Sequence, residues 1–332
     1  MPLDQYSSTY DLSFWGGLPV RKFEVPLTQL HDAIPDFELR PFGEPPNDNP
    51  RMRVIVRMPF GADKNERPVA SVSDRYDLLQ HRVVAFWLAD NVEGLGPDNA
   101  KAKVVMTEYG ERIRITIPLE SRSCDLFSRG RERPENEGDI YRPEIEVMNS
   151  VDRSSALHVS IRWRRIVCLN GMFTVEEDRM RSVHHVDLSR TKLVKDFIEQ
   201  RLAVEPDVLA QLRGWEKTQV EKGEVQAWCE DHLRAKGIWP VNTCARLWAI
   251  LETGYDGTVQ PPSKRGERHP LSSYRVGQHK RVPGVPHPIK TAYDLAQLLT
   301  WITSNQRTVE MQVEGTEDVP KLMKSFLASR NL

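Results

Sequence analysis

The sequence predicts an α+β fold: an antiparallel sheet with a flanking helix in the N-terminal half, then a helical C-terminal half. Three observations predict it. Between about residues 51 and 168, β-rich runs alternate apolar and polar residues, as a strand with one buried face requires. A single stretch at 76–91 breaks that alternation with helical spacing. Beyond Gly171 the apolar spacing is helical.

Taken in order, the first fifty residues carry Pro19, Pro26, Pro35, Pro41, Pro45, Pro46 and Pro50, and read as an extended N-terminal arm with short pieces of structure, 1–50. A β-rich core region follows at 51–188. It opens with a strand at 51–58 and a Gly/Asp/Asn/Pro turn at 61–68. Leu78, Leu79, Val83, Phe86 and Trp87 recur at helical spacing, and Gly94 lies past the end of that helix. Residues 101–108 and 111–119 flank Tyr109-Gly110 and read as a hairpin. Residues 121–142 read as a surface loop. Strands at 143–149 and 156–168 pair through Val151-Asp152-Arg153-Ser154. The region 189–332 reads as helices at about 189–203, 206–235, 242–253, 291–305 and 318–329, with Pro206 suited to a helix start. A loop at 257–290 interrupts it with six prolines, four glycines and seven Lys/Arg against one acid, Glu267. Loops of that length in compact domains are usually functional or disordered.

Composition narrows the function classes. The 332 residues are 39% hydrophobic and 28% charged, a globular profile long enough for a sizeable core. No apolar run approaches the roughly 18 residues of a membrane helix, and no signal peptide is visible, so a cytoplasmic location is expected. Cys124, Cys168, Cys229 and Cys244 are widely spaced and read as thiols of a reducing compartment. The formal net charge is −1, which excludes a globally basic nucleic-acid binder; a polyanion partner needs a local patch.

The strands suggest one. Ile113, Ile115, Ile117 and Leu119 share a face opposite Arg112, Arg114 and Thr116. Leu157, Val159, Ile161 and Trp163 oppose His158, Ser160, Arg162 and Arg164. Met52, Val54, Val56 and Met58 oppose Arg51, Arg53 and Arg57. If the three strands share a sheet in this sense, seven arginines line one side. Residues i and i+2 lie about 6.6 Å apart on a strand. That is close to the roughly 6 Å phosphate repeat of a stretched single strand. Guanidinium binds phosphate bidentately and stacks on bases. The same pattern fits a solvated or ion-paired face, with Glu144 and Glu146 neutralising part of it or a helix covering it.

Searches for catalytic motifs fail. Gly284 to Lys290-Thr291 lacks the second glycine of a phosphate-binding loop. No dinucleotide fingerprint, zinc-protease motif or nucleophile elbow is present. Cys229, His232 and Cys244 offer three zinc ligands without a fourth, and the adjacent His184 and His185 read as surface residues, so no metal or cofactor is expected. Asp139, Glu144 and Glu146 could serve a metal-dependent nuclease but lack a lysine at strand spacing.

Several segments, in order, resemble a known family. Asn149-Ser150-Val151-Asp152-Arg153-Ser154-Ser155-Ala156-Leu157-His158-Val159, continuing to Arg165-Ile166-Val167-Cys168-Leu169-Asn170, resembles Asn-Ser-x-Asp-Gly-Ser-Ser-Ala-Leu-x-Val then Arg-Val-Val-Cys-Gln-Asn. Phe14-Trp15-Gly16-Gly17-Leu18 resembles Pro-Trp-His-Gly-Leu, and Phe37-Glu38-Leu39-Arg40-Pro41 resembles Val-Glu-Leu-Arg-Pro. Val72-Ser73-Asp74-Arg75-Tyr76 through Gln80-His81-Arg82 resembles Val-Gly-x-x-Tyr through Gln-Asn-Arg. These are patterns of the phage/plasmid-like proteins catalogued as domain of unknown function 932. Gly16, Arg153 and Leu169 depart from them, standing where the pattern has His, Gly and Gln. The resemblance implies a product of a phage, plasmid or other mobile element. It also implies, by distant analogy, an outline similar to ring-forming single-strand annealing proteins. No catalytic residue carries over.

The expectation is a non-enzymatic single-stranded DNA-binding and annealing protein, acting as a homo-oligomer, with RNA as the alternative strand. Arg112, Arg114, Arg162 and Arg164 hold phosphates, Arg51, Arg53 and Arg57 extend the track, and Lys264, Arg265, Arg268, Tyr274, Arg275, Lys280 and Arg281 clamp the strand or a second one. The alternatives are an interaction factor binding a host or phage protein, and a metal-dependent nuclease.

Overall fold

A computed structural model describes residues 9–92, 100–125, 140–165, 172–173, 179–182, 196, 200, 205–262 and 269–330. In chain order its elements are β1 (Thr9–Trp15), β2 (Leu18–Pro26), β3 (Phe37–Phe42), β4 (Asn49–Arg57), β5 (Arg67–Ser73), α1 (His81–Val92), β6 (Lys101–Thr107), β7 (Arg112–Pro118), β8 (Cys124–Asp125), β9 (Ile140–Ser150) and β10 (Leu157–Arg165). Then come β11 (Met172–Phe173), β12 (Arg179–Ser182), α2 (Glu205–Lys217), α3 (Lys222–Trp228), α4 (Val241–Thr253), β13 (Tyr255–Asp256), β14 (Val259–Gln260), β15 (Arg275–Val276), β16 (Lys280–Arg281), α5 (Ala292–Ser304) and α6 (Val309–Ser329). The fold is α+β, with the antiparallel sheets in the N-terminal half and most helices in the C-terminal half. The chain divides into two units, one of residues 1–124, 142–163 and 177–204, the other of 125–141, 164–176 and 205–332.

The first unit is built on an antiparallel sheet in the order β1-β2-β6-β7-β9-β10, with β8 on β9 and β12 on β10. The expected β6–β7 hairpin forms, with Met106 opposite Ile113 and Lys103 opposite Thr116. Its apolar face points into the core as the alternation predicts. Ile113, Ile115, Ile117, Leu157, Val159 and Ile161 are at most 2% exposed, and Val84, Ala85 and Leu88 of α1 join them in one cluster. Each such side chain contributes roughly 1.5–3 kcal/mol by burial.

The pieces of structure expected within the arm are, over residues 18–42, strands built into the sheets. β2 pairs with β6 from Val20↔Thr107 to Pro26↔Lys101, and Val20, Phe23 and Val25 are buried. The intervals 20, 23 and 25 break the two-residue period, so alternation alone does not reveal the strand. Helix α1 starts at His81, five residues later than the spacing suggests. The preceding residues are used elsewhere: Tyr76 donates its hydroxyl to Val151 O at 3.1 Å, and the Gln80 amide bonds both the backbone N–H and the carbonyl of Phe37.

A separate three-stranded sheet, β3-β4-β5, carries the 51–57 segment in its centre. The three arginine-bearing strands therefore do not share one sheet. Phe37, Ile55 and Val72 of this smaller sheet form their own buried cluster with Val151.

In the second unit α5 is buried on every side from Ala292 to Thr303. Thr291 and Asp294 cap its start reciprocally, a sequence-local signal for a helix N-terminus. Helix α6 begins at Val309, where the Thr308 hydroxyl accepts from the Met311 amide, rather than near 318; Pro320 lies inside it. The expected 206–235 helix is interrupted at 218–221, where Val220 donates to Lys290 O, and ends in a π-helical turn at Cys229–Arg234. The expected 257–290 loop contains short ladders. Strand β13 pairs with β16 and β14 with β15, so Tyr255 lies opposite Arg281 and Gln260 opposite Arg275. The expected 189–203 helix lies largely outside the described residues.

Candidate nucleic-acid interface

The arginines of the larger sheet are held by carboxylates. Arg112 Nε lies 2.7 Å from Asp152 Oδ2. Glu146 of β9 stands between Arg114 of β7, at 3.0 Å, and Arg162 of β10, at 2.5 Å. Arg162 and Glu146 are each 1% exposed. Arg142 bridges Glu144 and Glu120 in the same way. Arg164 is half-buried and has contacts of its own. The face opposite the core is therefore an ion-paired interior at Arg114, Arg142 and Arg162, with no solvent-facing row of guanidiniums there. Glu144 and Glu146, the nuclease alternative's carboxylates, are the partners of these arginines. Asp139, His184, His185 and Cys168 lie outside the described residues.

Other expected residues are placed differently. Arg51 and Arg53 are exposed on β4 and have no ion pair among the described residues. In the second unit Arg275, Lys280 and Arg281 are exposed and Tyr274 is half-buried. Lys280 Nζ sits 4.7 Å from the Trp301 ring centroid. This ribbon is anchored by Asp256, which accepts from Arg246 at 2.6 and 2.9 Å and from Trp301 Nε1 at 3.0 Å. Burial opposes its ionisation, but the Arg246 guanidinium and the indole hold its carboxyl below the usual range. Lys264, Arg265 and Arg268 lie outside the described residues. Of the three residues weighed as zinc ligands, His232 is hydrogen-bonded to Ser325 at 2.8 Å, and the Cys229 thiol is pushed up by the adjacent Cys244 and by burial.

Among the described residues, binding chemistry gathers at a cavity of about 340 Å³ in the first unit, where the β4–β5 turn faces the β6–β7 turn. Arg21, Arg57, Arg67, Asp63 and Tyr109 line it. Arg57 and Arg67 are cross-strand partners on β4 and β5. Both reach Asp63 in the turn that joins them, at 2.6 and 3.2 Å. The Asn65 amide, then the Arg67 and Arg57 guanidiniums, hold the Asp63 carboxyl down to about 2. Both guanidinium carbons lie about 6 Å from the Tyr109 ring centroid, at 6.0 and 5.9 Å. Tyr109 is 40% exposed.

A buried polar relay fixes that tyrosine. Gly110 has φ +80°, and a Cβ there would stand 2.5 Å from Pro35 Cγ, so only glycine fits the turn. The Gly110 carbonyl accepts from His81 Nε2 at 2.9 Å, which requires the Nε2–H tautomer. His81 Nδ1 in turn accepts from Asn149 Nδ2 at 2.9 Å, and that amide also donates to Leu79 O at 3.1 Å. His81 and Asn149 are fully buried, so they act as positioning residues for the turn that carries Tyr109.

Of the cavity residues, sequence reasoning named only Arg57 as a binding residue. Arg67 was hidden because 67–73 does not read as a strand; a β4–β5 hairpin would have put it opposite Arg57. Tyr109 was visible as a turn residue, but its neighbours across the cavity come from another sheet.

A profile of the domain of unknown function 932 (DUF932) family matches residues 68–323. The chain belongs to this family. No curated protein and no solved structure matches the chain significantly. The DUF932 match begins after β4, so Arg51, Arg53 and Arg57 precede it while Tyr109 and the 255–281 ribbon fall inside. At Arg153, where the family pattern quoted above has glycine, φ is +68°, the left-handed region that favours glycine.

Proposed function

We propose that this DUF932 protein is a non-enzymatic binder of single-stranded nucleic acid, DNA in the first instance, that anneals strands as a homo-oligomer. The observation that supports this reading best is the exposed Tyr109 ring beside Arg57 and Arg67 at the cavity mouth. An aromatic platform stacks a base whatever its identity, and flanking guanidiniums take its phosphates. Arg51 and Arg53, exposed two residues apart on the strand that also bears Arg57, extend the cationic surface. Arg275, Lys280 and Arg281 on the ribbon of the second unit, with Tyr255 39% exposed, supply a second set of the same residue types.

The test is fluorescence anisotropy of a labelled oligo-dT, with oligo-U alongside, at two salt concentrations, and mass photometry of the same samples. Affinity falls with salt at a log–log slope of about −0.7 per phosphate neutralised. Tyr109→Ala weakens binding about 5- to 150-fold, the equivalent of roughly 1–3 kcal/mol of stacking. Salt-indifferent binding, or full affinity in both Tyr109→Ala and the Arg51→Glu/Arg53→Glu variant, refutes the reading.

A further inference from the structure

We infer that the cavity of the first unit takes a terminal phosphomonoester, the phosphorylated end of a strand or a free mononucleotide, with its phosphate on Arg57 and Arg67 and its base against Tyr109. This deepens the strand-binding reading and rests on the same site.

Three observations carry it. The cavity, about 340 Å³, is of small-ligand size. Arg57 is only 4% exposed, and its Nε is buried with no hydrogen-bond partner among the described residues. Buried guanidinium donors are normally satisfied, so an acceptor is missing beside a residue that lines the cavity. The third observation is Asp63, whose carboxylate already bridges Arg57 Nη2 and Arg67 Nε. The fork therefore holds an oxyanion in this structure. Asp63 belongs to the β4–β5 turn and its side chain is 28% exposed, so solvent is within its reach when a stronger anion takes its place.

Charge and shape select an end over an internal linkage. An internal phosphodiester carries one charge and two free oxygens, and its chain must enter and leave the cavity. A phosphomonoester carries about −1.5 to −2 and three acceptor oxygens on a single attachment. The lining sets Arg21, Arg57 and Arg67 against Asp63 and Glu108, so two guanidiniums released from Asp63 match that charge while Arg21 offsets Glu108, and the third oxygen supplies the acceptor that Arg57 Nε lacks.

The experiment has two arms on the full chain. Calorimetry titrates 5′-dTMP, thymidine and inorganic phosphate. Anisotropy competition compares dT20 bearing a 5′-phosphate, a 3′-phosphate or hydroxyl ends, and circular single-stranded DNA. Binding of dTMP but not thymidine is expected, as is at least a tenfold preference for one phosphorylated end; which end wins identifies the polarity. Arg67→Ala, at a residue whose side chain is 43% exposed, removes both effects while its melting curve stays that of the parent. Equal affinity for all ends and for the circle, without dTMP uptake, overturns the inference and leaves strand binding standing. Uptake of dTMP with no oligonucleotide binding does the reverse. Phosphate binding as tightly as dTMP overturns the assignment of the base to Tyr109.

Discussion

The role of Glu146 decides whether the arginines most prominent in the sequence are binding residues or part of the interior. Glu146→Gln removes one negative charge and little volume. It leaves Arg162, 1% exposed, and Arg114, with 17% of its side chain exposed, without the carboxylate that stands 2.5 and 3.0 Å from them. A buried pair contributes little net stability, because desolvation offsets attraction, but removing one partner leaves the other buried charge under-compensated, at a cost of about 3–5 kcal/mol. For a domain of 150–250 residues that lowers Tm by roughly 6–20 °C. Differential scanning calorimetry of parent and Glu146→Gln, with Arg162→Met and the double variant completing a cycle, measures it. The double variant is expected to recover part of the loss, since both buried charges have gone. A Tm within 2 °C of the parent for Glu146→Gln would refute the reasoning and return Arg162 to the pool of ligand-binding side chains.

Two further perturbations follow from the turn and loop that surround Asp152. Arg153→Gly relieves an exposed residue at φ +68°. The left-handed conformation costs an L-residue about 1–2 kcal/mol, glycine's unfolded-state freedom takes back part, and a net gain of about 0.5–1 kcal/mol should raise Tm by roughly 1–4 °C. A lower Tm contradicts it. Burial, and then the charge of Asp152, push the Tyr76 phenol up to about 12. A folded value above the unfolded one means that this contribution is fully present below about pH 10 and is lost as pH rises towards 12. Tyr76→Phe should therefore flatten the fall in urea midpoint between pH 10 and 12 relative to the parent; parallel curves would show that Tyr76 is not the group responsible.

Much of the fold was legible because one face of each central strand is purely apolar. Ile113, Ile115 and Ile117, and Leu157, Val159 and Ile161, leave no other register for a sheet that must bury them. The opposite faces were not legible to the same degree. An arginine at every second position reads identically whether solvent or a glutamate faces it. The deciding fact is that β9 lies between β7 and β10, bringing Glu146 beside Arg114 and Arg162, and strand order is a long-range property. The first fifty residues misled for a local reason: proline density suggests an arm, whereas Pro26 ends β2 and Pro41 lies in β3, the edge strand of the smaller sheet, where a missing N–H costs no ladder bond.

Among the described residues, three of the segments that carry the family resemblance, 37–41, 72–82 and 149–159, converge in space, and what they build is a scaffold. Phe37 is bracketed by Gln80, Asp36 pairs with Arg82, Tyr76 reaches Val151, and Asn149 orients His81. Each is a tie between β3, the entrance to α1 and the β9–β10 turn, made by a buried or half-buried polar group whose partner is backbone as often as side chain. Such ties tolerate few replacements because each donor must meet a fixed acceptor. The residues that face the cavity, Arg57, Arg67 and Tyr109, lie outside those segments. The relay from Asn149 through His81 to Gly110 joins the two sets, since it fixes the turn on which Tyr109 stands. A motif search alone therefore finds the residues that hold the platform, and the geometry is needed to find the platform itself.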